Sequence, residues 1–167
     1  SVVEVIGKNP QANFICHNEL LKFEDGREQI LDYGAGYRPG EALTKQLYMK
    51  NLFSTSDVVC KRDLLLKWNG FNEGLSSGQD YDLWLKMSPD MNPIFISQVL
   101  GTYMFRQGNI SSSKYWKRLL NMLRIRKTHW KKGGMLLFLY SSLYFSMSHL
   151  AAPLLSRIRE VYKVVRT

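Results

Sequence analysis

The stretch Phe53–Met87, FSTSDVVCKRDLLLKWNGFNEGLSSGQDYDLWLKM, contains the features that decide the fold. Its first part predicts a short strand at Val58–Cys60 that runs directly into a short helix. A loop rich in glycine and asparagine follows, and Gln79–Met87 then has the pattern of a second helix, which ends before Pro89. Strands that alternate with helices are typical of α/β domains, so we expect a mixed sheet covered by helices.

Two carboxylates, Asp80 and Asp82, lie near the start of the second helix. Because they are two residues apart, a helix points them in different directions, and at most one is expected to face a shared cleft. Asp80 lies closer to the SSG turn, at the mouth of the helix, where exposed backbone amides favour a negative charge. On spacing alone, we prefer the interpretation that both are simply acids of a helix N-terminus.

The segments upstream of this stretch add strands and one more helix. Asn13–Asn18 predicts a short apolar strand, and Leu21–Asp25 is a candidate for a second strand, with Gly26 as a turn signal. The remaining upstream elements are the end of a helix that stops at Pro10, a loop at Asp32–Gly40 and a helix at Glu41–Phe53.

The segments downstream end in a long apolar run. Pro93–Phe105 predicts a strand or a pair of strands, and Ser111–Ser113 then offer hydroxyls that cap a long helix reaching about Lys132. Met135–Leu155 contains no formally charged residue and is long enough to span a bilayer. Because its serines fall mostly on one helical face and Pro153 interrupts it, a helix that lies in the membrane interface or packs on the domain fits better than a simple span.

The positive charge of the chain is concentrated in its last third. The net charge is +9, yet residues 1–110 carry 11 Lys/Arg against 13 Asp/Glu, whereas residues 111–167 carry 12 Lys/Arg against Glu160 alone. Such asymmetry predicts an anionic partner, either a membrane surface or nucleic acid. Since the basic residues flank an apolar run, we favour a membrane surface and expect no nucleic acid. We therefore divide the chain into an α/β unit, residues 1–110, and a basic amphipathic helical segment, residues 111–167.

The cysteines and histidines predict neither a disulfide framework nor a metal site. Cys16 and Cys60 lie far apart and each flanks an apolar run, so we expect buried free thiols. The three histidines, His17, His129 and His149, lack the spacing of metal ligands. We therefore expect no metal-ligating residue in this chain.

The order of the segments TS, DVV, KR, DLL, GFNE and GQDYDLWLKM closely resembles the second half of family 2 glycosyltransferases, which have the GT-A fold. Downstream, QVLGTYMFRQGNIS at Gln98–Ser111 is similar to the family's strand ending in Tyr-Arg and the loop after it. Upstream, PQANFICHN resembles the strand that follows the family's Asp-x-Asp segment. The resemblance covers roughly residues 1–130 and implies a partial GT-A domain, a Rossmann-like fold with a mixed sheet.

In inverting enzymes of this family an acceptor hydroxyl attacks the anomeric carbon, and a carboxylate takes up the hydroxyl proton. The resemblance places that catalytic base at Asp80. It places the family's second acid at Asp82, where a structural cap is the better interpretation. Gln79 stands where the family has Glu, so a charge beside the base is absent here. The resemblance makes Gln79 and Asp82 candidates for substrate binding beside the base.

Four other residues are further candidates for substrate binding, and each has a structural alternative. Thr55 and Ser56 would end a strand at the acceptor cleft, but hydroxyls of a core strand are equally expected. Trp84 is a candidate for stacking on a sugar, although its helical spacing is typical of a core residue. Arg106 stands where the family has an arginine near the active-site loop, and its guanidinium is a candidate partner for the diphosphate, or a surface residue.

Two features of the family are absent from the sequence. No Asp-x-Asp follows an apolar strand in the first part of the chain, and no nucleotide-binding β-α-β unit opens it. The resemblance places both upstream of Ser1, together with the ligands of a divalent cation, Mn or Mg. We therefore interpret the chain as the acceptor-binding half of the domain, a fragment, and expect it to be inactive alone.

The predicted function is transfer of a sugar from a nucleotide-sugar donor to a glycan or lipid-linked acceptor. We expect this reaction in cell-surface polysaccharide biosynthesis, at the cytoplasmic side of a bacterial membrane. Two other functions stay open. The chain could be a non-enzymatic membrane-binding module that works through residues 111–167, or a nucleic-acid binder that uses the basic helix with its interleaved aromatic residues.

Overall fold

The computed structural model of the chain describes residues 1–105, 115–144 and 146–147, and it confirms the predicted α/β class with a mixed four-stranded sheet. Its strands are β1 Phe14–Phe23, β2 Glu28–Leu31, β3 Val58–Cys60 and β4 Pro93–Phe105. Its helices are α1 Val2–Lys8, α2 Leu43–Met49, α3 Arg62–Lys67, α4 Gln79–Met87, α5 Tyr115–Thr128 and α6 Trp130–Gly133. Residues 135–144 are also helical.

The sheet is organised around β1. This strand pairs antiparallel with β3 through its first half and with β2 through its second half, and parallel with β4 along its whole length. The pairing with β4 changes register between His17 and Glu19. The prediction of two short strands before Gly26 was therefore wrong. Residues 14–23 form one long strand, and the turn at Gly26 leads into β2, which the sequence did not predict.

The predicted bounds agree with the structure for three elements. β3, α4 and β4 have the bounds that the sequence predicts, and β4 is a single strand. α2 is shorter than the predicted Glu41–Phe53. The long downstream helix is divided, because α5 ends at Thr128 and α6 begins at Trp130. The predicted caps at Ser111–Ser113 lie outside the described residues.

Helix α4 lies at the centre of the hydrophobic core. Six of its nine residues are buried, so the helix is covered on most sides and reaches solvent mainly at its N-terminal end. Trp84 is 1% exposed, and its ring packs edge-on against that of Phe14 in β1, with the ring centroids 5.1 Å apart. Aromatic pairs at such distances and angles add to the stabilisation that burial provides. α4 is therefore held firmly against the sheet, and its first turn has a fixed position.

The described part of the basic segment packs on this same core. Ile125 and Arg126 of α5 are each 1% exposed, and Leu137 and Phe138 also lie against the core. Arg126 Nε donates to the Tyr81 hydroxyl at 3.1 Å, and its Nη1 donates to the Ser141 carbonyl at 2.7 Å. α5 and residues 135–144 are thus joined to α4. No helix among the described residues is both long and apolar enough to cross a bilayer.

Candidate active site

An open cleft of about 360 Å³ lies at the N-terminal end of α4. Three segments form it: the turn before β3, the loop between α3 and α4, and the first turn of α4. The residues that line the cleft are Thr55, Phe71, Asn72, Glu73, Gln79 and Asp80. The cleft combines one exposed aromatic ring with amide, hydroxyl and carboxylate groups, which are groups that recognise a polar ligand with apolar ring faces.

Asp80 is half-buried in the wall of this cleft, in the first turn of α4. Its Oδ1 accepts a hydrogen bond from the backbone N–H of Tyr81 at 2.8 Å. The first amides of a helix have no partner within the helix, and the helix dipole favours a negative charge beside them. The Asp80 carboxylate therefore accepts a hydrogen bond from one of these amides and still lines the cleft.

The loop between α3 and α4 is held in place by side chains of α4. Asn69 and Gly70 both have φ of 58°, a left-handed conformation that turns the chain sharply after α3. Lys86 Nζ then donates to the Gly70 carbonyl at 2.8 Å, and Gln79 Nε2 donates to the Leu75 carbonyl at 2.6 Å. Gln79 thus both lines the cleft and ties its loop to the helix.

The end of the same loop is fixed by α5. Gly78, the residue before α4, has φ of 76°, and a Cβ added there would lie 2.9 Å from Ile125 Cδ1. Asn121 Nδ2 donates to the Ser77 hydroxyl at 2.7 Å. The left-handed backbone favours glycine at position 78, and a side chain there would have to displace the terminal methyl group of Ile125. The glycine therefore lets α5 pack directly against the turn that positions Asp80.

Asp82 and Trp84, two candidates for substrate binding, are both buried in the fold, which fits the structural alternative given for each. Asp82 is 4% exposed, and its Oδ1 lies 2.7 Å from His129 Nε2, at the end of α5. A buried carboxylate needs such a partner, which makes this pair a structural link between α4 and α5. Trp84 packs in the core and has no surface on which a sugar could stack.

Thr55 and Ser56, the two predicted hydroxyl ligands, have different environments. Thr55 lines the cleft. Ser56 does not line it, and its hydroxyl instead lies 3.2 Å from Glu19 Oε1 and 3.1 Å from Asp57 Oδ2. Ser56 is exposed, and its hydroxyl is held beside two buried acids, so its contact with substrate stays a prediction.

Those two acids, one in β1 and one directly before β3, form a buried pair. Glu19 is 3% exposed and Asp57 is fully buried, and the Tyr33 hydroxyl donates to Glu19 Oε2 at 3.1 Å. Burial and the neighbouring Asp57 carboxylate raise the pKa of Glu19 above its ordinary value. Asp57 Oδ1 has no hydrogen-bond partner and lies 3.6 Å from His17 Nδ1. Neither acid lines the cleft, so the pair belongs to the interior of the fold.

Three of the residues that line the cleft were not predicted from the sequence. Phe71, Asn72 and Glu73 belong to the GFNE segment, whose place directly before the acidic helix was the available signal. Arg106 lies outside the described residues. Within the described part of the chain, no cluster of three or more His, Cys, Asp or Glu residues could hold a metal ion.

The geometry of the cleft supports one kind of chemistry. A hydroxyl bound in the cleft would meet a carboxylate that has a fixed position and is open to solvent. Transfer of a proton to a positioned carboxylate is the step that general base catalysis requires. Glu73 and Asp80 are the two acids that line the cleft. Asp80 is on a helix that the core fixes, whereas Glu73 is on the loop.

Comparison with known proteins points in the same direction. No protein-family model matches the chain. The chain is similar to an uncharacterized glycosyltransferase of Haemophilus influenzae, with 28% identity over 116 residues. The match covers 66% of this chain and 39% of the relative, so the chain corresponds to about two fifths of the length of that protein. The likeness indicates a glycosyltransferase-like protein.

Proposed function

We propose that the chain forms the acceptor side of an inverting glycosyltransferase of family 2, with Asp80 as the catalytic base. The observation that carries this proposal is the position of Asp80, half-buried in the wall of an open cleft at the first turn of α4. The likeness to a glycosyltransferase and the GQDYDLW segment favour sugar transfer over other reactions that need a base.

In the proposed reaction the oxygen of an acceptor hydroxyl forms a bond to the anomeric carbon of a nucleotide-sugar donor. The bond from that carbon to the nucleotide diphosphate breaks, and the diphosphate leaves with the electron pair. Asp80 takes up the hydroxyl proton as the new bond forms, which makes the oxygen a better nucleophile. The anomeric carbon inverts because the leaving group departs from the face opposite the attack.

The other lining residues have roles on the acceptor. The ring of Phe71 is 46% exposed at the cleft and offers an apolar face to a sugar ring. Asn72, Glu73 and Thr55 carry the polar groups that bind sugar hydroxyls. Contacts to both the ring face and the hydroxyls of the acceptor place one hydroxyl beside the base. This orientation of the reacting groups increases the rate.

The donor is a nucleotide sugar and the acceptor is a glycan or a lipid-linked glycan, in the synthesis of a cell-surface polysaccharide. The family's divalent cation does not fit the described residues, because they contain no cluster that could hold it. In this proposal the nucleotide and the cation are bound by parts of the enzyme other than the described residues.

The replacement Asp80→Asn in the full-length enzyme tests the proposal. The enzyme is incubated with a panel of UDP- and GDP-sugars and a bacterial glycolipid extract, and release of nucleoside diphosphate is measured. Loss of a general base lowers kcat by about 10²–10⁴-fold, so we expect a decrease in that range with the fold unchanged.

Asp63→Asn is the matched control, since Asp63 is an exposed aspartate in the first turn of another short helix, α3. We expect this variant to keep wild-type activity. Near-normal release of the diphosphate by Asp80→Asn would remove Asp80 as the base.

A further inference from the structure

The helical residues 135–144 have one face on the protein and one face in solvent. On the inner face, Leu137 and Phe138 pack against the core, and Ser141 is fully buried. The Ser141 carbonyl accepts a hydrogen bond from Arg126 at 2.7 Å, which fixes the helix to α5. The helix is therefore packed on the domain in a fixed orientation, with a defined outer face.

The outer face is apolar, although it is exposed to solvent. Its side chains recur at the three- and four-residue spacing of one helical face, and each is between 49% and 85% exposed. They are Met135, Leu136, Leu139, Tyr140, Leu143 and Tyr144. Soluble proteins rarely expose a contiguous apolar surface of this kind unless it binds a partner.

The positive charge of the surrounding segment favours an anionic partner for this face. No acidic residue occurs between Asp90 and Glu160, and residues 111–167 carry 12 Lys/Arg. Of these, Arg124, Lys127 and Lys131 are exposed in the helices that precede the apolar face. Two copies of the chain would bring two strongly positive segments together, which is unfavourable. A surface of anionic headgroups above a hydrocarbon layer matches both the charge and the apolar side chains.

We propose that the outer face of residues 135–144 docks the protein on an anionic membrane surface, with the helix lying in the plane of the interface. The ten helical residues span only about 15 Å, about half of the hydrocarbon core, and their inner face is occupied by the domain. Leu136, Leu139 and Leu143 enter the acyl boundary, and Tyr140 and Tyr144 lie at headgroup level.

This docking would fix the direction in which the cleft faces. Arg126 joins the membrane helix to α4, because it binds both the Ser141 carbonyl and the Tyr81 hydroxyl. Tyr81 is the residue that follows Asp80. The cleft and the bilayer would therefore keep a constant relative position. The docking itself does not depend on the proposed transfer reaction.

The test is flotation of the purified chain with vesicles of phosphatidylcholine alone or mixed with phosphatidylglycerol, at low and high salt. We expect binding to the mixed vesicles, weaker binding to the neutral ones and a decrease at high salt. The triple variant Leu136→Ser, Leu139→Ser, Leu143→Ser should bind the mixed vesicles roughly tenfold more weakly, because three apolar side chains no longer leave water.

The control is the triple variant Val3→Ser, Ile30→Ser, Leu66→Ser, which removes three exposed apolar side chains from α1, β2 and α3. It should bind vesicles as the wild type does. Equal binding by the wild type and the Leu136 triple variant would overturn the proposal. So would sedimentation that shows a wild-type dimer, a monomeric triple variant and no vesicle binding by either, since the face would then bind a second copy.

Discussion

Asp80 and Asp82 lie two residues apart on α4 and face opposite environments. The Asp80 carboxylate lines the open cleft, whereas Asp82 is buried with its Oδ1 2.7 Å from His129 Nε2. Successive positions of a helix point about 100° apart, so two residues of separation turn the side chain to nearly the opposite side. One acid is thus free for chemistry, and the other joins α4 to α5.

This division of roles predicts different effects on stability. Asp82→Ala leaves His129 buried without its partner and should lower the free energy of unfolding by about 2–4 kcal/mol. Asp80→Ala removes a half-buried carboxylate and should cost less than about 1 kcal/mol. Urea unfolding followed by circular dichroism measures both values. Equal losses for the two variants would contradict the separation of roles.

Replacement of Gly78 should be costly for two reasons that can be measured separately. Gly78→Ala forces a side chain into the left-handed region, at about 1–2 kcal/mol, and also pushes against Ile125. Gly26→Ala shares the positive φ but has open space around it, and Gly7→Ala has open space without the positive φ. We expect the loss of stability to fall in the order Gly78, Gly26, Gly7. A cost at Gly78 no larger than that at Gly26 would show that the contact with Ile125 is unimportant.

The buried pair Glu19 and Asp57 predicts a dependence of stability on pH. Burial and the Asp57 carboxylate raise the pKa of Glu19, so the folded protein keeps a proton that the unfolded chain releases. Above about pH 4.3, the ordinary pKa of glutamate, the free energy of unfolding therefore decreases as pH rises. The decrease ends once pH exceeds the raised pKa of Glu19 in the folded protein.

Glu19→Gln removes this titration. Its free energy of unfolding relative to the wild type should increase between about pH 4 and pH 7, as measured by urea unfolding across that range. Glu24→Gln, at an exposed position after β1, is the control and should follow the wild type at every pH. A wild-type-like pH profile for Glu19→Gln would argue against the protonated pair.

The two thiols should differ in reactivity. Burial raises the pKa of Cys16 to about 12, and the side chain is fully buried, so almost no thiolate is available at pH 8. Cys60 is only half-buried. We expect iodoacetamide to modify Cys60 first and to reach Cys16 only in urea, as shown by mass spectrometry of the peptides. Rapid labelling of Cys16 in the folded protein would mean that β1 opens locally.

Local patterns in the sequence predicted the elements that meet at the cleft. The bounds of β3, α4 and β4, and the divergence of Asp80 from Asp82, follow from spacing and from breakers such as Pro89. β2 was missed because only four residues pair, and its residues are mostly exposed. Short exposed strands have little hydrophobic alternation, which is the signal that strand prediction uses.

The candidate site was predicted only in part. Three of the candidate residues, Thr55, Gln79 and Asp80, line the cleft, but its loop residues Phe71 to Glu73 were not predicted. Trp84, a candidate for stacking on a sugar, packs in the core, and Ser56, a candidate for binding substrate, lies outside the lining of the cleft. Hydroxyl and aromatic side chains occur in cores and in sites alike, so residue type alone cannot distinguish the two.

The sequence by itself determined the α/β class, the helix that carries both acids, and the concentration of positive charge in residues 111–167. Tertiary structure alone decided which acid faces the cleft, that His129 pairs with Asp82 across 47 residues, and that residues 135–144 expose an apolar face. The physical reason is the range of the interactions. Periodicity records how neighbours along the chain share a face, whereas burial depends on which distant segments pack over that face.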